Sequence, residues 1–164
     1  MSAKLNRDGL VENIKALIAT AREKGVEVIF VRHDAGEGSG LSAGDEGFAI
    51  ADALAPRAEE KVFDKTINSC FGNKDFTAYL EASGDDELMI VGLQTNFCID
   101  ATVKSAFERG YYVAVPEGAH STFDNAYMSG ETTCAYYFNE VWPGLFADCV
   151  CMDAAQAMLR GEEN

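Results

Sequence analysis

Apolar residues recur at helical spacing through Leu10, Ile14, Leu17, Ile18 and Ala21, predicting an amphipathic helix with Asp8 as its cap and Gly25 just past its end. The period then changes. Residues 26–33, VEVIFVRH, form a β-branched run too continuous for a strand with one wet face, and they fit a parallel sheet buried on both sides. After a short helical turn around 48–54, KVFDK at 61–65 reads as a strand, FTAYLEAS at 76–83 as a helix and ELMIVGL at 87–93 as a central strand. Residues 98–110 place Ile99, Thr102, Val103, Ala106 and Phe107 on one helical face and end at a glycine, after which YYVAVP is again a strand. Residues 128–140 suit a helix, DCVCM at 148–152 a last strand and AAQAMLR a closing helix. Strands alternating with single helical crossovers predict an α/β fold, a three-layer doubly wound parallel sheet. Ligands bind such sheets at the carboxyl ends of their strands. Those ends fall at 32–40, 64–72, 93–98 and 116–125, and the loop 35–47, with five glycines, borders the first.

The 164 residues, 48% of them apolar, suffice for one domain spanning 1–164. Thirteen Lys and Arg against 27 Asp and Glu give a net charge of −14, which repels phosphate backbones and anionic membranes, so neither nucleic acid nor a membrane is an expected partner. No stretch approaches the roughly 18 apolar residues of a membrane span, and MSAKLNRDG has no apolar core of a signal peptide; a cytoplasmic location is expected. The five cysteines form no CxxC pair and no secreted disulfide framework, so reduced thiols are expected. Cys149 and Cys151 fall on one face of the last strand, where buried packing is expected rather than metal ligation.

Cys98 is the most suggestive residue, standing where the 87–93 strand passes into the next helix. Free N–H groups and the positive end of a helix dipole lower a thiol's pKa from ~8.5 toward neutrality and can also hold an oxyanion. The competing reading is a cysteine that only packs. Lys65 ends a neighbouring strand, where it can hold an anionic intermediate or remain an ordinary surface lysine. His33 and Asp34 also end a strand, but His120 is the only other histidine and no metal-ligand spacing exists, so no metal is expected. Without a GxGxxG or Walker loop, no nucleotide cofactor is expected either.

Two segments, DKTINSCF at 64–71 and VGLQTNFCIDATVKSAFERGYYVAVPEGA at 91–119, resemble the isochorismatase-like cysteine hydrolases, a family that includes nicotinamidases and other small amidases. The resemblance runs from about Asn6 to Cys151. It implies a Rossmann-like sheet and a catalytic aspartate–lysine–cysteine triad, with Cys98 matching the nucleophile and Lys65 the lysine. It also implies a cis peptide between Leu93 and Gln94, which aims the Gln94 and Cys98 N–H groups at the oxyanion.

The chain departs from this pattern at its start. The family carries its aspartate at the end of an opening strand that lies centrally in the sheet, whereas here MSAKLNRDG leads almost directly into the first helix. Three arrangements are open: the 26–32 strand moves over to pair with 86–93, another chain covers the edge, or Met1 is internal to a longer reading frame. Asp34 is a conceivable substitute for the aspartate. The Asp-x-His pattern of the metal-binding nicotinamidases is absent, which counts against nicotinamide. The expected function is hydrolysis of a small amide-like or related C–N bond; the alternative is an inactive relative serving binding or assembly. The expected partners are a small-molecule substrate and further copies of the chain in a homo-oligomer, for which the aromatic stretch 135–146 offers either an apolar contact or core.

Overall fold

The computed structural model describes residues 7–162. Helix α1 (Arg7–Lys24) buries Leu10, Ile14, Leu17 and Ala21 as their spacing predicts, while the cap expected at Asp8 lies outside the described side chains. Gly25 ends the helix at φ 72°, in the left-handed region where glycine alone is at ease. Strands β1 (Ile29–His33) and β2 (Lys61–Lys65) pair in parallel, setting Arg32 opposite Asp64 and His33 opposite Lys65. On one face of this pair, Arg32 grips Asp64 through two hydrogen bonds of 2.7 and 3.0 Å and lies over the Phe48 ring. That doubled contact fixes the register.

Helix α2 (Lys74–Ser83) starts at Asn73, whose side chain accepts from the N–H groups of Asp75 and Phe76. The strand expected over 87–93 is broken in two, β3 (Glu87–Met89) and β4 (Gly92–Leu93), because Gly92 takes φ 126° and redirects the chain. Helix α3 (Asp100–Glu108) is followed by β5 (Tyr112–Pro116) and β6 (His120–Ser121). Helix α4 (Gly130–Tyr136), β7 (Asp148–Val150) and α5 (Met152–Leu159) complete the order. All the pairings are parallel: β1 with β2, β5 between β3 and β7, and β4 with β6.

Two apolar clusters sandwich the strands and give the expected three layers. One gathers Phe76 and Leu80 of α2, Val103 of α3 and Trp142; the other gathers Leu10, Ile14 and Leu17 of α1 with Ala155 of α5. Among the described residues β1 pairs only with β2, so the 26–32 strand does not move onto 86–93. A cavity of about 350 Å³ lies there instead. Leu17 and Ala21 wall it on one face and Phe76 and Leu80 on the other, and it reaches Lys65 and Cys98. Side chains from both helical layers thus line the gap without filling it.

The last strand is shorter than expected. It ends at Val150, so half-buried Cys149 lies on it while exposed Cys151 starts α5, and the two thiols share no strand face. Within 135–146, Trp142 is fully buried, whereas Tyr136 and Leu145 are exposed. No described helix is long and apolar enough to cross a membrane.

Candidate active site

Lys65 closes β2 and is buried to 5% exposure. Its Nζ lies 3.1 Å from Cys98 Sγ, 2.9 Å from His33 Nδ1 and 3.1 Å from the Ile67 carbonyl oxygen. An ammonium has three protons, enough for all three contacts when the His33 ring carries its own proton on Nε2. Such saturation is what a buried cation requires, since an unpaired one is strongly disfavoured out of water. The structure therefore brings Lys65 and Cys98 together, as the resemblance implied.

Cys98 reaches this point on a widened turn. A π-helical segment, Thr95–Ile99, precedes α3, so helical structure begins at Thr95 and Cys98 lies within its first turn rather than at its mouth. The cysteine's carbonyl accepts from the Thr102 hydroxyl at 2.7 Å, and the same hydroxyl oxygen accepts from the Cys70 N–H at 3.1 Å, tying the turn to the loop that follows Lys65. Asn68 Oδ1 stands 3.8 Å from the sulfur. The peptide between Leu93 and Gln94 is cis, as expected.

Behind the Gln94 loop lies a polar support that the sequence did not reveal. The buried Thr122 hydroxyl sits 2.6 Å from Asn96 Oδ1 and 3.1 Å from Gln94 Oε1, holding both side chains of the loop. Beside it, Thr95 Oγ1 meets His120 Nδ1 at 2.8 Å and Cys134 Sγ at 3.3 Å. His120 stacks on Phe138 and abuts Trp142 edge-on, and its burial pushes its pKa down to about 4. It is therefore a neutral structural histidine at pH 7.

Asp34, the conceivable substitute for the aspartate, does not bring its carboxylate to the Lys65 ammonium. The Asp34 carboxylate folds back to accept from the Gly36 N–H at 2.9 Å, while His33 is the residue on Lys65. From the sequence His33 is considered only as a metal ligand, and its contact with Lys65 is not foreseen. The signal was present: β1 and β2 both end in a titratable residue, and a parallel register sets those ends side by side. Burial and the Lys65 charge lower the His33 pKa from its ordinary 6.5, against the opposing pull of the Ile67 carbonyl and Asp34. The remaining thiols differ in character, with burial raising Cys70 and pushing Cys149 up to about 11. Among the described residues no three His, Cys, Asp or Glu side chains gather as a metal site would require.

Residues 3–142 match the isochorismatase domain family. The chain is 32% identical over 122 residues to an uncharacterised isochorismatase family protein, YddQ, of Bacillus subtilis, covering 73% of this chain and 68% of that one. It is 30% identical over 115 residues to the streptothricin hydrolase of Streptomyces noursei, covering 70% of this chain and 42% of the other. With the ureidoacrylate amidohydrolase RutB of Yersinia enterocolitica it shares 30% over 139 residues, 67% of this chain and 60% of that protein. The chain thus spans 42% to 68% of the length of these relatives. A crystal structure of an isochorismatase-family hydrolase from Chromobacterium violaceum superposes with a TM-score of 0.90 at 26% identity, covering 97% of this chain and 85% of that one. An isochorismatase from Pseudomonas putida gives 0.85, also at 26% identity, covering 92% and 80%.

Proposed function

As a chain that belongs to the isochorismatase family, this protein is, we propose, a cysteine hydrolase that cleaves a small amide-like or related C–N bond with Cys98 as nucleophile. The contact between Lys65 Nζ and Cys98 Sγ, 3.1 Å at the carboxyl edge of the sheet, carries this reading. The Cys98 sulfur attacks the carbonyl carbon, and the ammonium of Lys65 stabilises negative charge beside it. The N–H groups of Gln94 and Cys98 receive the oxyanion. Loss of the amine leaves a thioester that water then hydrolyses. The name of one relative, ureidoacrylate amidohydrolase, supports the bond class. The substrate is a small molecule, and the protein acts in the cytoplasm as a homo-oligomer.

One observation favours a different reading, a non-catalytic family member that binds or assembles: no ion pair among the described residues includes Lys65. A turnover screen across simple amides and ureido compounds separates the two. Ammonia or amine release by the wild type that disappears in Cys98→Ala supports the hydrolase. Equal background from both proteins rejects it. Light scattering of the purified protein tests the oligomer, which a monomeric mass refutes.

A further inference from the structure

Thiol-driven amide hydrolysis needs a group that takes the sulfur's proton and returns it to the leaving nitrogen. A carboxylate is the usual candidate beside a lysine, yet none of the described ion pairs reaches Lys65, and the nearby Asp34 carboxylate is turned to Gly36. What does reach Lys65 is His33, its register partner across the β1–β2 ladder. In the tautomer with its proton on Nε2, Nδ1 at 2.9 Å accepts from the ammonium and its lone pair faces the lysine. Sulfur, ammonium and imidazole then form one line of hydrogen bonds.

We propose that His33 is the proton acceptor of this site, acting on Cys98 through Lys65. The proposal rests on the cysteine-hydrolase reading above. In the first step Lys65 Nζ gives one of its protons to His33 Nδ1, and the lone pair this frees takes the Sγ proton. Thiol and neutral imidazole become thiolate and imidazolium, the lysine is an ammonium before and after, and the net charge is unchanged. The sulfur then bonds to the carbonyl carbon and the C=O electron pair moves to oxygen. On collapse the C–N bond breaks, the leaving nitrogen takes a proton from Lys65, and His33 returns its proton to the lysine. Water entering the thioester repeats the sequence, with its proton going to His33 by way of Lys65 and ending on the departing sulfur.

The charged and titratable groups facing the ring suit this role. Lys65 comes from β2, with the Ile67 carbonyl just beyond it, and Asp34 follows His33 itself. Burial and Lys65 outweigh the other two and keep the imidazole neutral at pH 7, so a proton placed on Nδ1 is readily handed back. His33 is not needed merely to hold the strands in register, because Arg32 and Asp64 do so on the opposite face.

The test follows the rate of Cys98 alkylation by iodoacetamide across pH, read by peptide mapping, and does not depend on knowing the substrate. In the wild type the rate should fall as pH drops through a value below 6.5, where the relay becomes fully protonated. His33→Gln can still accept a hydrogen bond from Lys65 but cannot take its proton, so it should lose that acid limb and react about 10²-fold more slowly at pH 7. His33→Ala should regain rate when imidazole is added. A His33→Gln profile equal to wild type overturns the relay. Should both variants misfold, ¹⁵N NMR of the wild-type imidazole decides instead. Nδ1 unprotonated at pH 7 supports the relay and Nδ1 protonated rejects it. A His33-dependent alkylation profile with no amide turned over leaves the relay standing and removes the hydrolase reading.

Discussion

Lys65 Nζ and Cys98 Sγ lie 3.1 Å apart, although β2 and the turn bearing Cys98 belong to strand groups that share no ladder. Side-chain contacts bridge that division. The Lys65 ammonium contacts the sulfur directly, and Thr102 joins the Cys98 carbonyl to the Cys70 N–H. Site geometry therefore depends on side chains rather than on a continuous sheet. Near pH 7, Cys98 should alkylate faster than exposed Cys151, and Lys65→Met should remove that advantage and lower kcat by about 10²–10³. Equal labelling of Cys98 and Cys151 in the wild type would show that the lysine does not activate the thiol.

His120 predicts how stability depends on pH. Its folded pKa of about 4 lies below the ordinary 6.5, so the unfolded chain binds a proton in that interval and the folded chain does not. Its contribution is complete above 6.5, declines as pH falls toward 4, and is constant below. The loss amounts to about 3 kcal/mol across the window. Urea unfolding of wild type and His120→Gln at pH 7, 5.5 and 4 should give a difference between the two that changes by that order. Parallel curves would mean that His120 titrates normally.

Much of this architecture was legible in the sequence, because strands and helices alternate with distinct periods and each apolar face found its layer. Leu10, Ile14 and Leu17 were placed by spacing alone, and Lys65 and Cys98 by the motifs around them. What was not legible depends on relations between segments. The split at Gly92 arises from a backbone angle that an uninterrupted apolar run conceals. His33 was assessed for its own chemistry, whereas its role comes from the strand beside it. The gap between β1 and β3 is closed by neither, because register couples β1 to β2, and the space between is a cavity walled by helices on both faces.

Gly130 tests the support of the Gln94 loop. A Cβ at this position would stand 2.4 Å from the Thr122 carbonyl oxygen, with the Thr122 and Phe123 backbone carbons at 3.1 and 3.2 Å. Backbone cannot swing aside as a flexible side chain can, so Gly130→Ala should cost about 1–3 kcal/mol. It should also push Thr122 off Gln94 and Asn96. We expect turnover to fall while Cys98 alkylation at pH 7 stays unchanged, since Lys65 is untouched. Unaltered stability and turnover would show that the Thr122 segment yields freely.

Asp100 provides the last test, of the scaffold behind the nucleophile. One carboxylate oxygen accepts from the Trp142 indole N–H at 2.9 Å and the other from Lys104 at 2.9 Å. Trp142 has no exposure, so its N–H finds no water if the carboxylate is removed, whereas Lys104 is more than one-third exposed and resolvates. The two contacts should therefore differ in worth although their lengths agree. Asp100→Ala should destabilise by about 1–3 kcal/mol, most of it the stranded indole. Lys104→Ala should cost under about 0.5 kcal/mol, as an exposed pair one helical turn apart does. Combining Asp100→Ala with Trp142→Phe removes donor and acceptor together. If the stranded indole is the cause, the added cost of losing Asp100 in the Trp142→Phe background drops to the level of Lys104→Ala; an undiminished cost would locate it in the helix start instead.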